Sequence, residues 1–424
     1  MGYESKGSNG TKRDISYLFK QHCTITIDQG YRKKRKGKMS AAAARRRKQL
    51  LQKKLSQEEQ NSVGDDPVFL RLNSLLHSDD SVEIDGEVAY EALQLAQSQV
   101  RRLVKAGDVG KAVELCYLSL TTLLKKKKVS VASQLLMLFS DVIVETKTKC
   151  SEELVLGCLN IDKLYREALG QAFEGTEEKE EEERLSRVHY KFLRRIVRWS
   201  AEYGMVQYGD MRLHTALAMH CWSMVQNYKE SLEKMKDEEF DDVTVLQEIT
   251  AEAMIHLALA EDTQQIINIL KTLPPPTDKQ DAMGRNGGTA SERDCLFTRA
   301  ILVFIAVQNL RDANLLLKSY RSLTNADMPS LAKSYINKND GKAPTHIMFC
   351  SMLLQICEKD RAGPLFQWIL RSFSHDLNLM KPDVKAYTTK IGRVFFNIQP
   401  PPSMFNMMEN MMGMMGGGAA MNMN

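Results

Sequence analysis

The sequence contains no apolar stretch near the ~18–20 residues that a membrane-spanning helix needs. Its longest run, Ala300 to Val307, is eight residues. The N-terminus lacks the apolar core of a secretory signal. Gly2 is followed by Lys6 where a myristoylation motif carries Ser or Thr. Eight cysteines are present (Cys23, Cys116, Cys150, Cys158, Cys221, Cys295, Cys350 and Cys357), and no two form a C-x-x-C pair. Most lie within apolar helical patterns, so they read as small buried hydrophobes in a reducing compartment and not as a disulfide framework. These absences predict a soluble, intracellular protein.

Chemistry-bearing motifs are equally scarce. The G-x-x-x-x-G-K-[ST] phosphate loop, the G-x-S-x-G nucleophile turn and the H-E-x-x-H metal helix are missing. His214 and His220 are six apart, a spacing that does not set two ligands on one helical face. His214 reads as a core or capping histidine. The glycines at 284, 287 and 288 have no flanking strand to make a dinucleotide site. We therefore expect no catalytic, cofactor-binding or metal site, and a binding scaffold in place of an enzyme.

Hydrophobic residues make up 43% of the 424, enough for a sizeable core. The net charge of +5 conceals an asymmetry. Residues 1–54 carry 16 Lys/Arg against 3 Asp/Glu, and the remainder carries 42 against 50. The body is mildly acidic, so a general affinity for nucleic acid is not expected of it. The basic segment 1–60, with Arg32 to Lys36 and Arg45 to Lys48, repels itself and cannot bury a core. It reads as a solvated tail, or as a nuclear import signal or an RNA or membrane tether.

From about Asp66 the pattern is helical. Between Val88 and Ala106, Tyr90, Leu93, Ala96, Val100, Leu103 and Val104 share one face. Gly107-Asp108 breaks the pattern, and Val109 to Leu124 resumes it. The run Lys125 to Lys128 marks the next turn, its cations suited to the negative end of the helix before it. Val131 to Thr146 makes a third helix. Further helices are predicted over Ser151–Phe173, Leu185–Tyr203, Met211–Tyr228, Tyr228–Met235, Val243–Leu259, Thr263–Thr272, Arg293–Gln308, Leu310–Leu323, Pro344–Glu358, Ala362–His375 and Asp383–Phe396. Helices of this length joined by short turns predict an all-α solenoid of stacked hairpins, tetratricopeptide-like. Strict alternation is nearly absent, leaving room for one small β-hairpin within Ser322 to Ala343.

Two interruptions read as loops: the Glu-rich stretch Glu174 to Arg184 and the Pro/Gly-containing stretch 274–292. The expected organisation is a tail (1–60), an N-terminal helical half (61–273), a loop (274–292), a C-terminal helical half (293–399) and a Pro then Met/Gly-rich tail (400–424). In that last segment Met404, Phe405, Met407, Met408, Met411, Met412, Met414 and Met415 fit either an amphipathic helix for apolar partners or plain low complexity.

Three segments together resemble the Golgi to ER traffic protein 4 family. The first is YEALQL (Tyr90 to Leu95) followed by KAVELCYLSLTTLLKKK (Lys111 to Lys127). The second is YGDMRLHTALAMHCWSMVQNYKES (Tyr208 to Ser231), similar to the family's G-D-P-x-L-H helix start. The third combines LFTRAILVFIAVQNLRDANLLLKSYRS (Leu296 to Ser322) with KPDVKAYTTKIGRVFFNIQPPPS (Lys381 to Ser403). The resemblance covers about residues 66–415. It departs at the basic tail, at the 174–184 and 277–292 stretches, and at Gln134, which stands where the family carries an Asp.

The resemblance implies a right-handed superhelical solenoid that acts as a cytosolic adaptor in tail-anchored membrane protein delivery. Its N-terminal helices would dock an ArsA-like targeting ATPase. Its C-terminal half would hold a ubiquitin-like protein that recruits a client-carrying co-chaperone, with a BAG-domain scaffold joining in animals. On this reading Arg101, Arg102, Lys105, Asp108, Lys111, Glu114 and Gln134 face the ATPase. Phe297, Ile301, Phe304, Leu315, Tyr320, Phe395 and Phe396 form core, partner interface or both in the C-terminal half. The competing reading from the residues is a helical-repeat subunit of another complex that touches nucleic acid through its basic tail.

Overall fold

In a computed structural model, the described residues are 67–76, 85–175, 178–234, 243–274, 291–324, 345–380 and 384–398. They are helices and turns, with no strand among them. The place left for a hairpin (322–343), the basic tail and the Met-rich tail lie wholly or mostly outside them. In chain order the helices are α1 (Pro67–Leu76), α2 (Gly86–Ala106), α3 (Val109–Lys125), α4 (Val129–Glu145), α5 (Glu152–Phe173), α6 (Lys179–Tyr203), α7 (Met211–Lys234), α8 (Val243–Leu259), α9 (Thr263–Thr272), α10 (Glu292–Ala306), α11 (Leu310–Thr324), α12 (Thr345–Cys357), α13 (Gly363–Ser372), α14 (Ser374–Leu379) and α15 (Val384–Phe396). The chain divides into two compact units within α8, between His256 and Leu257.

In the first unit each helix from α2 to α7 packs on its sequence neighbours and next-but-one neighbours, the pattern of stacked hairpins. The turns explain why. Gly107, in the left-handed region at φ 82°, donates to the Val104 carbonyl while Asp108 N–H donates to Leu103. This pair of bonds satisfies the last carbonyls of α2 and reverses the chain. Asp108 then caps α3, its carboxylate accepting from Lys111 N–H at 3.3 Å. The same bond pair recurs at Lys127-Lys128, at Lys147-Thr148 and, in the second unit, at Glu261-Asp262 and Gln308-Asn309. Asp262 and Asn309 cap their helices as Asp108 does.

Long-range polar ties fix the stack. Trp199 Nε1 donates to the Thr148 carbonyl at 2.8 Å, holding α6 on the α4–α5 turn. Arg195 of α6 pairs with Asp141 of α4. In the motif Tyr208 to His214, Gly209 adopts φ 102° and Asp210 N–H donates to Ser200 Oγ at 3.0 Å. Arg212 then grips Asp210 and, through both terminal nitrogens, Glu152 on α5 at 2.6 and 2.8 Å.

Several boundaries differ from the sequence reading. The Glu-rich stretch is largely helix, since α6 begins at Lys179. Glutamate is a good helix former, and Glu180, Glu181 and Glu182 lie in the first turn, where the helix dipole favours them. Glu181 also chelates Arg184 at 2.5 and 2.6 Å. Residues 211–234 make one helix, with no break at Tyr228. The predicted 362–375 helix is instead two, α13 and α14, meeting at Phe373. α4 begins two residues early, at Val129.

The second unit is built around α10. Thirteen of its fifteen residues are buried, and it packs against α9, α11, α12 and α15. Its run Ala300 to Ala306 is apolar on all sides, which suits the middle of a core, and Arg293, Asp294, Thr298 and Arg299 are buried with it. Seven cysteines among the described residues are unpaired thiols. Burial pushes Cys116, Cys295, Cys350 and Cys357 up to about 12, so they stay protonated and unreactive. Among the described residues no helix is long and apolar enough to cross a membrane.

Candidate partner-docking surfaces

The polar face of α2 is the first candidate. Ala89, Leu93, Ala96 and Val100 of this helix are buried against α3 and α4, whereas Tyr90, expected on the same face, is 52% exposed one turn before Gln94. That leaves Gln94, Gln97, Ser98, Arg101, Arg102 and Lys105 on one outward stripe, lining a shallow open depression. Arg101, Arg102 and Lys105 are exposed, as are Lys111 and Glu114 on α3. Asp108 is half-buried at the turn and pairs with Lys111 Nζ at 3.0 Å.

The α2–α3 turn therefore gathers Arg101, Arg102, Lys105, Asp108 and Lys111, with Glu114 one turn further along α3. Gln134 is exposed on α4 but stands nearer the α3–α4 turn, at the other end of α3. Cations outnumber acids on this stripe, within a body that is acidic overall. Gln94, Gln97 and Ser98 were missed by the sequence reading. Their signal was available: they continue the Arg101 and Lys105 stripe at i−3 and i−4 spacing.

The C-terminal candidates separate into two groups. Phe297, Ile301, Phe304 and Tyr320 are fully buried inside the second unit. Phe297 stacks on Tyr320 with ring centres 4.0 Å apart, and Tyr320 donates to Asp294 at 2.5 Å. Burial lifts the Asp294 carboxyl above its ordinary range, against the pull of that hydrogen bond. These four side chains hold the unit together, and a partner cannot reach them in this conformation. Their periodic apolar spacing is the same for core and for interface, which is why sequence did not divide them. Phe395 and Phe396 remain half-exposed at the end of α15, and Leu315 is exposed on α11. Phe396 stacks on Phe366 of α13 at 4.6 Å.

The described histidines of the first unit belong to its core. His214 Nε2 lies 2.8 Å from the Tyr208 carbonyl and its Nδ1 2.7 Å from His256 Nδ1. Burial, reinforced by His256, holds His214 down at about 3. His220 meets the Ser186 carbonyl at 3.0 Å and is likewise depressed to about 3, by burial and by His189. His189 sits 3.1 Å from Asp162 and stacks on Tyr165. Burial opposes ionisation of Asp162, but His189 and Arg166 outweigh it and hold the carboxyl below its ordinary value. Among the described residues no group of three or more His, Cys, Asp or Glu is placed to hold a metal ion.

The profile of the family described as Golgi to ER traffic protein 4 matches residues 106–415. A protein of Arabidopsis thaliana described as Protein GET4 is 24% identical over 338 residues, covering 76% of this chain and 91% of that protein. The solved structure titled "Crystal structure of C. therm. Get4" is 19% identical, covers 85% of this chain and 99% of that one, and superposes with a TM-score of 0.46. With the profile spanning well over half of its length, the chain belongs to the Golgi to ER traffic protein 4 family.

Proposed function

We propose that this chain is a non-enzymatic adaptor of the cytosol that links a ubiquitin-like protein to an ArsA-like targeting ATPase for post-translational delivery of tail-anchored membrane proteins. Family membership supports the general role in Golgi-to-ER traffic. The observation that carries the finer reading is the outward stripe of α2, polar along its length and basic toward the α2–α3 turn. A surface of exposed charge with little apolar content favours fast, salt-sensitive, reversible contact, which a handover requires. We assign the ATPase contact to Arg101, Arg102, Lys105, Lys111 and Glu114, with Asp108 bracing Lys111 and Gln134 at the margin. The ubiquitin-like protein is assigned to the second unit around Phe395 and Phe396, with a BAG-domain scaffold as a further partner where one exists.

The test is charge reversal. Arg101→Glu, Arg102→Glu and Lys105→Glu in one full-length chain leave the helical circular dichroism unchanged, because all three side chains are exposed. Association with the ATPase slows at least tenfold at low salt, and the difference from wild type shrinks as salt screens the charges. An unchanged association rate refutes the assignment of the ATPase to this face.

A further inference from the structure

The α3–α4 turn carries the longest run of cations among the described residues, Lys125 to Lys128. It lies at the opposite end of α3 from the α2–α3 turn. Lys127 is left-handed at φ 58°, and Lys128, the residue before α4, makes no side-chain cap hydrogen bond. Ser130 is the second residue of α4 and is exposed. The segment therefore reads Lys127-Lys128-Val129-Ser130, with two cations three and two residues before an accessible hydroxyl. A protein kinase with an acidic peptide groove reads that pattern, since its carboxylates hold the cations while the hydroxyl meets the catalytic base.

The surroundings of the hydroxyl favour a phosphate. The start of α6 stands across from it, on the helix that packs against α4. Ser130 Oγ donates to Glu181 Oε1 at 3.4 Å and accepts from Arg184 Nη2 at 3.4 Å. Both bonds are long, whereas Glu181 and Arg184 hold each other at 2.5 and 2.6 Å. The hydroxyl is a weak third member of an ion pair that belongs to α6. A phosphate on Ser130 brings about 1.5–2 negative charges and three acceptor oxygens to the same guanidinium. Its charge exceeds that of one carboxylate, and a guanidinium pairs with two phosphate oxygens at once. The first turn of α4 has no acidic residue to repel it. Arg184 is 53% exposed and Glu181 36%, so the pair can part without disturbing the core.

We propose that Ser130 is a phosphorylation site, read by a basophilic kinase through Lys127 and Lys128, and that its phosphate takes Arg184 from Glu181 and ties α4 to α6. ATP supplies the phosphoryl group. A bond forms between Ser130 Oγ and the γ-phosphorus, the bond from that phosphorus to the β–γ bridging oxygen breaks, ADP leaves, and the hydroxyl proton passes to the base of the kinase. Presenting Ser130 to the kinase unwinds only the first turn of α4, and helix ends open most readily. The site lies in the first unit and does not depend on the adaptor reading.

The full chain is incubated with ATP, magnesium and the catalytic subunit of cyclic-AMP-dependent protein kinase, and the products are mapped by peptide mass spectrometry. Ser130 is expected to be phosphorylated in the folded chain, with the initial rate at this site falling about tenfold when Lys127→Ala and Lys128→Ala are combined. An unmodified Ser130, modification only after denaturation, or an unchanged rate in the double variant overturns the proposal. A second measurement reads the exchange of partners. The change in melting temperature on phosphorylation is recorded, with a Ser130→Ala chain correcting for other sites. A rise of about 2–4 °C is expected from one new charge-assisted contact, and it is lost in an Arg184→Gln background. No rise, or the same rise without Arg184, overturns the tie between α4 and α6.

Discussion

Gly209 offers the sharpest test of how the first unit is held together. A Cβ at this position would stand 2.7 Å from Ser200 Oγ and 3.1 Å from the Val197 carbonyl, at a backbone φ of 102°. Gly107 is the natural control, because it too has positive φ, at 82°, yet a Cβ there meets nothing within 4 Å. Gly107→Ala pays only for the left-handed backbone, about 1–2 kcal/mol, and recovers part of that from a stiffer unfolded chain, for a net loss near ~1 kcal/mol. Gly209→Ala pays the same backbone cost. It also forces Ser200 aside and orphans the Asp210 N–H that Ser200 Oγ accepts, which adds a further ~1–3 kcal/mol. We expect about 3 kcal/mol in total. The assay is urea denaturation of both variants in a Trp368→Phe background, so that fluorescence from Trp199 and Trp222 follows the first unit alone. If Gly209→Ala costs no more than Gly107→Ala, the Ser200–Asp210 contact does not organise the Arg212 clamp and our account of the 208–214 motif fails.

Two further predictions concern stability. Lys127 holds a left-handed φ of 58° and Lys128, the residue before α4, makes no side-chain cap hydrogen bond, where the sister turns use Gly107-Asp108 and Glu261-Asp262. Lys128→Asp supplies the missing cap and should stabilise the chain by ~1 kcal/mol; Lys127→Gly should add up to ~1 kcal/mol. Thermal melts check both, and a lower melting temperature for either contradicts the turn analysis. The second prediction concerns acid. His214 and His220 are neutral and buried with folded values near 3, below the ordinary 6.5. The unfolded chain therefore takes up protons first, and stability present above about pH 6.5 falls as pH drops toward 3. Each site should cost on the order of 2 kcal/mol by pH 5. Asp162 and Glu252 are held below their ordinary values, so their contribution is retained at pH 5 and lost only at lower pH. Melting temperatures at pH 7 and pH 5, repeated with His220→Gln, should show the drop and its partial relief; a flat profile refutes it.

The sequence displayed most of the helices because each buries one face and ends in a recognisable turn. The predicted Thr263–Thr272 helix is α9 with the same bounds, since Asp262 caps one end and Leu273-Pro274 closes the other. Misreadings arose where local composition and local conformation part company. The glutamates at 180–182 look like a solvated loop but suit a helix N-terminus. Phe373 splits α13 from α14 with no glycine or proline to announce it. Pairings across the stack were invisible to a reading along the chain: Arg212 finds Glu152 sixty residues away, and Tyr190 finds Glu252 sixty-two away. The polar stripe of α2 was half legible, because charge marks Arg101 and Lys105 but not Gln94 or Ser98. The aromatic residues of the C-terminal half look alike in sequence, and only their three-dimensional neighbours separate the core ring Phe297 from the surface ring Phe395.

The central claim is that one chain holds two different partners at once, and a bridging experiment tests it most directly. The full chain, the ArsA-like ATPase and the ubiquitin-like protein from the same organism are mixed in pairs and all together, then separated by size at physiological salt. The account predicts that the ATPase and the ubiquitin-like protein co-elute only when the chain is present. It also predicts that Arg101→Glu, Arg102→Glu and Lys105→Glu release the ATPase while the ubiquitin-like protein stays bound. Failure of the chain to bridge the two, or binding that mutual competition makes exclusive, contradicts the adaptor role.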